Sequence, residues 1–347
     1  MTCIGLDTEF ERSRTFFAEL CLVQIAAPGV LACIDPFVLD SLASLTALLA
    51  AGRATVQLHA ARQDLEVLHQ IDGRLPAQLI DTQVAAGLAG YADNIGYADM
   101  VQQLLGITLD KSQTRTDWRQ RPLSLAQLNY AAADVLHLAP CAQILAEKLE
   151  RLGRSAWLEE DCRALLVTDG FCQPPLTAWQ RLRGLPNLTP AAQARAVALA
   201  AWRETTAQER NLPRGWVLQD DELLSLATTP PASAQTLAAQ FATNGNVRRH
   251  AQNIFDALHA PVQILESRTV RRLTPAGRAE LKRLSARAQE IAQDLGLAPS
   301  ILITRRELES LVCAQMPTRL RDGWRGPVLA ELVAMRAQIG DDGLWET

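Results

Sequence analysis

Cys3-Ile4-Gly5-Leu6-Asp7-Thr8-Glu9-Phe10 is an apolar run that ends in two carboxylates with one residue between them. It reads as a buried strand delivering acids. Alternate side chains of an extended chain point to one face, so Asp7 and Glu9 project together while Thr8 points away. Two anions side by side each make ionisation of the other harder. Divalent cations that take oxygen ligands, such as Mg²⁺ or Mn²⁺, relieve that repulsion.

Outward from this strand, 20–26 and 30–34 are apolar and separated by Pro28-Gly29, a strand pair with a tight turn. The spacing of Leu42, Leu45, Leu48 and Leu49 predicts a helix within 40–51, 54–58 is another short strand, and the next helix starts near Ala61. That helix holds Asp64 in its first turn, where the helix dipole favours a carboxylate. Residues 79–82 are a fifth strand candidate, followed by helices at 83–90 and 97–105. The order β-β-β-α-β-α-β-α predicts a mixed sheet with helices on its faces, an α/β domain. From Leu123 a long helix puts Tyr130 and Asp134 at i and i+4, on one face and near enough to address one small centre.

At 347 residues the chain is long enough for two or three domains. With no apolar run of about 18 residues and no leader-like N-terminus, it is expected in the cytoplasm without a membrane partner. Seven scattered cysteines with no C-x-x-C pair argue against a disulfide framework or a zinc site. The net charge of −4 divides unevenly. Residues 1–170 hold 13 Lys+Arg against 21 Asp+Glu, and 171–347 hold 21 against 17, so the halves stand at −8 and +4. The acidic half suits metal ions and the basic half suits phosphates.

Past Gln173-Pro174-Pro175, a natural boundary, the chain reads as almost wholly helical and repeats itself. A shift of 85 residues aligns Ala207-Gln208-Glu209 with Ala292-Gln293-Asp294, Leu212 with Leu297, Val217-Leu218 with Leu302-Ile303, and Glu222-Leu223 with Glu307-Leu308. Each copy is a long helix, a short apolar crossing and a capped second helix.

Asp7 and Glu9, then Asp64, then Tyr130-x-x-x-Asp134 resemble the three motifs of the DEDD exonuclease superfamily in its tyrosine-bearing branch. The stretches Phe17-Ala18-Glu19-Leu20-Cys21-Leu22-Val23-Gln24-Ile25, Leu79-Ile80-Asp81-Thr82-Gln83, Leu109-Asp110-Lys111-Ser112-Gln113-Thr114-Arg115-Thr116-Asp117-Trp118 and Tyr130-Ala131-Ala132-Ala133-Asp134-Val135 are similar to ribonuclease D. The first helical copy, with Arg210-Asn211-Leu212-Pro213-Arg214-Gly215-Trp216-Val217-Leu218 and Asp220-Asp221-Glu222-Leu223, resembles the helicase-and-RNase-D C-terminal (HRDC) domain, and the second is a diverged version. In that family a segment usually precedes the first motif, whereas here Met1-Thr2 leads directly into the strand.

The resemblance implies a ribonuclease H-like α/β nuclease domain over 1–170 and two all-α HRDC-type domains over 171–260 and 261–347. It implies a 3′→5′ exoribonuclease acting on RNA, with tRNA precursors as substrates, through two divalent ions, Mg²⁺ or Mn²⁺; a monomer is expected. Asp7, Glu9, Asp64 and Asp134 would hold the ions roughly 3.5–4 Å apart. Tyr130 would orient the attacking water, and Thr8, Phe10 and His59 would flank the terminal nucleotide. Arg214, Arg248-Arg249 and Arg271-Arg272 are candidate phosphate contacts, because guanidinium groups grip phosphate oxygens in bidentate fashion. A DNA exonuclease of proofreading type shares all four acids, and an RNA-binding module without catalysis is the other alternative.

Overall fold

The computed structural model describes residues 2–110, 112–114, 116–168, 171, 174–241, 245–260, 273–337 and 343–345. Contacts divide the described chain into two compact units, one drawn from 1–11, 20–168 and 273–347, the other from 12–19 and 169–272.

The first unit is built on a five-stranded sheet of β1 (Thr2–Glu11), β2 (Glu19–Ala27), β3 (Val30–Ile34), β4 (Ala54–Leu58) and β5 (Leu79–Asp81) in the order β3-β2-β1-β4-β5. β4 runs parallel to β1 and β5, with Gly5 opposite Gln57 and Leu58 opposite Asp81, while β2 and β3 are antiparallel. The sheet is therefore mixed, as the element order predicts. Its helices are α1 (Ala43–Ala50), α2 (Arg62–Asp72), α3 (Thr82–Leu88), α4 (Tyr97–Leu105), α5 (Leu125–Leu136), α6 (Leu138–Arg151) and α7 (Ser155–Leu165).

Two sequence features bring α5 onto β1. Ser124 and Gln127 form a reciprocal capping box that starts α5. A Cβ on Gly5 would lie 3.1 Å from the Val135 carbonyl and 3.4 Å from the Leu138 side chain, so any larger residue would press the helix back by a few tenths of an ångström. The long helix expected from Leu123 is two helices, broken at His137. Pro140 is the reason, because it has no N–H to give the carbonyl of Leu136 yet is tolerated in the first turn of a new helix.

The second unit holds α8 (Pro190–Glu209), α9 (Arg214–Val217), α10 (Asp220–Thr228), α11 (Ala234–Gln240), α12 (Gly245–Arg249) and α13 (Ala251–His259) around Leu182, Leu185, Leu199, Leu223, Leu237 and Ile254. The chain then returns to the first unit as α14 (Pro275–Leu295), α15 (Pro299–Leu302), α16 (Arg305–Val312), α17 (Thr318–Arg321), α18 (Arg325–Val328) and α19 (Ala330–Ala337). The starts of α8, α9 and α10 recur 85 residues later in α14, α15 and α16. Both long helices open with a capping threonine and a proline, Thr189-Pro190 and Thr274-Pro275.

The returning helices are fastened to helices of the sheet-bearing part of the first unit. Arg325 pairs with Asp161 through two bonds of 2.6 and 2.8 Å, and Trp324 stacks on Trp157 at 4.0 Å. Buried Arg154 donates to the carbonyls of Leu88 and Leu295, at the ends of α3 and α14.

Candidate active site

β1 presents its acids as the alternation requires. Asp7, Glu9 and Asp134 each offer an oxygen within 4.8 Å of the others. Thr8 points the other way and meets Asp64: its N–H and its hydroxyl both donate to Asp64 Oδ1, at 3.1 and 2.6 Å. Asp64 thus stands beside the trio with one oxygen already engaged, close enough that its charge is the largest neighbour effect on Asp7.

The electrostatics are those of uncompensated anions. Withdrawal from water, then the charges of Asp64, Asp134 and Glu9, raise Asp7 well above the carboxylate range. Glu9 is pushed up to about 8 by the same withdrawal and by Asp134 and Asp64. Burial lifts Asp64 and Asp134 to about 7, against the opposing hydrogen bonds from Thr8 and Tyr130 respectively. Four hard oxygen donors that resist sharing negative charge fit a divalent cation.

A carboxyl whose folded value is raised favours the fold below the unfolded value near 4, and that contribution is lost as pH rises through 7 to 8. Metal-free protein should therefore lose thermal stability across this range. The rise in Tm caused by Mn²⁺ should grow between about pH 6 and pH 8.5, as ligands shed protons. Differential scanning fluorimetry checks this, and a Mn²⁺ effect that is flat with pH would remove the cluster as the binding site.

Tyr130 is half-buried, its hydroxyl 3.5 Å from that of Thr114 and its ring 6.1 Å from that of Trp118. Burial first, and the nearby acids after it, push its phenol up to about 12. The 116–121 segment, which carries Trp118, is anchored by Arg121, which holds Asp35 at 2.6 and 2.9 Å and donates to the Cys21 and Trp118 carbonyls.

Phe10 is half-buried one residue past Glu9. His59 has both ring nitrogens engaged, with Thr82 Oγ1 and the Ile95 carbonyl at 2.9 Å each. The nitrogen facing a carbonyl must donate, so Nε2 carries the proton, and burial holds the ring below its usual value. In the second unit Arg214 grips buried Glu204 through Nε and Nη2 at 2.5 and 2.6 Å, and its guanidinium lies over the Phe16 ring at 4.4 Å. Arg248 and Arg249 are exposed at the end of α12. Arg271 and Arg272 lie outside the described residues.

Tyr97 escapes sequence reasoning. Its hydroxyl donates to the Ala133 carbonyl at 3.0 Å and accepts from His137 N–H at 3.2 Å, bracketing Asp134. Burial, and after it the charge of Asp134, raises its phenol, so it stays a neutral donor. Only a tyrosine at the start of α4 signals it in the sequence.

A family profile described as 3′-5′ exonuclease matches residues 1–150, and the HRDC domain profile matches 192–258. The ribonuclease D of Xanthomonas oryzae is 37% identical over 94% of this chain and 90% of that protein, and that of Gluconacetobacter diazotrophicus 38% over 98% and 90%. The crystal structure of Escherichia coli RNase D, described as an exoribonuclease involved in structured RNA processing, superposes with a TM-score of 0.85 at 31% identity, over 97% of this chain and 93% of that one.

Sheet, acid cluster and helical extension thus define a DEDD-type 3′→5′ exonuclease joined to an HRDC domain. The chain belongs to the ribonuclease D family, a 3′→5′ exoribonuclease and hence a phosphodiester hydrolase. Among the described residues no helix is long and apolar enough to cross a membrane.

Proposed function

We propose that the chain trims structured RNA from its 3′ end, with 3′-extended tRNA precursors as substrates, and releases nucleoside 5′-monophosphates. The acid trio of Asp7, Glu9 and Asp134, with Asp64 beside it, carries this reading. We assign two divalent ions, Mg²⁺ or Mn²⁺, to these four side chains; bound there, such ions activate water and neutralise charge on the phosphate and the leaving oxygen. Thr8 fixes the direction of Asp64. Tyr130 keeps its proton at neutral pH and acts by hydrogen bond, orienting the nucleophile rather than deprotonating it. Phe10 and the ring of His59 are assigned to the seat of the terminal nucleotide. Arg248 and Arg249 are assigned to RNA phosphates, while the ion pair with Glu204 directs Arg214 to structure.

Three modules over 1–170, 171–260 and 261–347, the last a diverged HRDC-like copy, agree with the recurrence of helix starts at 85 residues. The experiment that tests the function is a time course with Mg²⁺ or Mn²⁺ on 3′-extended tRNA and on matched single-stranded DNA, with products sized at nucleotide resolution. One-nucleotide steps from the RNA 3′ end are expected, and faster loss of the DNA would overturn the RNA assignment. In the same assay Tyr130→Phe should lower kcat about 10²-fold, the scale for losing one positioned hydrogen-bonding group, with the Mn²⁺ requirement unchanged. An unchanged kcat would reduce Tyr130 to packing.

A further inference from the structure

Asp81 ends β5, is 2% exposed, and has no place in the chemistry assigned above. Its two oxygens nevertheless accept four backbone N–H groups. Oδ1 takes those of Gln83, Ala60 and Val84 at 2.8, 3.1 and 3.3 Å, and Oδ2 takes that of Ala61 at 2.8 Å. Gln83 and Val84 lie in the first turn of α3, which Asp81 caps. Ala60 and Ala61 lie elsewhere, in the connection from β4 to α2.

That connection is strained. Ala60 sits at φ +58°, a left-handed conformation that residues with a Cβ rarely adopt and that persists only where the surroundings impose it. Thr82 completes the grip, its hydroxyl 3.0 Å from the Leu58 carbonyl and 2.9 Å from His59 Nδ1. Each residue from 58 to 61 is therefore held by Asp81 or Thr82. Asp64 follows three residues later, in the first turn of α2.

We infer that Asp81, assisted by Thr82, is a positioning residue for Asp64: it imposes the left-handed turn at Ala60 that starts α2 where Asp64 meets Thr8 and stands beside Asp7. The inference rests on reading the acid cluster as a metal site. Both carboxylate oxygens are needed, since donors approach each. An asparagine supplies one oxygen and turns an NH₂ toward the remaining N–H groups.

The test uses the full-length chain carrying Asp81→Asn, alone and with Ala60→Gly, which tolerates the left-handed turn unaided. Calorimetric Mn²⁺ titration should show at least tenfold weaker binding in Asp81→Asn, with Ala60→Gly recovering Tm and part of the Mn²⁺ affinity. On a short oligoribonucleotide kcat should fall by a similar factor while KM stays within about twofold. Thr82→Val, which leaves the α3 cap intact, should shift Mn²⁺ binding in the same direction by less, and Thr82→Ser should restore it. A lowered Tm with unchanged Mn²⁺ binding and unchanged kcat would make Asp81 a helix cap only and overturn the inference. Hydrogen exchange at Ala60 and Ala61, measured without metal, separates this from failure of the site itself. If the wild-type chain binds no Mn²⁺, the metal reading falls, and protection of these amides retained in Asp81→Asn would sink the positioning role as well.

Discussion

Asp7→Asn is expected to abolish hydrolysis while leaving the fold and RNA binding in place. Asparagine keeps the volume of the side chain and removes one anionic oxygen donor from a cluster already formed by β1 and α5. A metal contributes several kcal/mol to phosphoryl-transfer transition states, so the loss should be roughly four orders of magnitude in kcat. Stability should move the other way. Burial and three neighbouring acids oppose the charge on Asp7, so the neutral variant, free of metal, should melt no lower than the parent at about pH 8. Its response to Mn²⁺ should shrink. Activity within about tenfold of the parent would place the metal site elsewhere.

Much of this site was legible because it depends on short-range geometry. Strand alternation is enough to put Asp7 and Glu9 on one face, and helical spacing is enough to put Tyr130 and Asp134 on another. What those periods do not carry is which elements meet. Asp64 reads as a fourth equal ligand, yet its Oδ1 is taken by Thr8, a residue 56 positions away on the opposite face of β1 from Asp7. Arg214 reads as a candidate phosphate contact, and its partner Glu204 is a helix residue that nothing local distinguishes. The +58° turn at Ala60 falls on an alanine, where no glycine or asparagine advertises a left-handed residue. The repeat was visible in sequence, but the return of its second copy to the nuclease unit rests on Asp161 and Arg325, separated by 164 residues.

That return should dominate the stability of the first unit. Arg325 is buried, bonded to both oxygens of Asp161 and to the Ile301 carbonyl at 2.9 Å, with Trp324 at 4.0 Å under its guanidinium. Trp324 also donates its indole N–H to Asp161 at 3.2 Å and its backbone N–H to Glu160. Removing one partner strands the other charge out of water, which costs about 3–5 kcal/mol in comparable buried pairs. Arg325→Ala and Asp161→Ala should each destabilise the first unit by about that amount in urea denaturation, with the double variant losing less than the sum of the two. Replacing both with apolar residues, Asp161→Leu with Arg325→Met, should recover much of the loss, because no charge is then left unpaired. The consequence reaches β5. Cys162, next to Asp161 on α7, accepts the Asp81 N–H at 3.3 Å, so loosening α7 also loosens the strand end that holds Ala60 and Ala61. A chain cut before α14 would expose Trp157, Arg154 and Asp161 together and should unfold at lower urea than either single variant. Equal midpoints for the cut and full-length chains would mean that α14 to α19 merely rest on the nuclease helices.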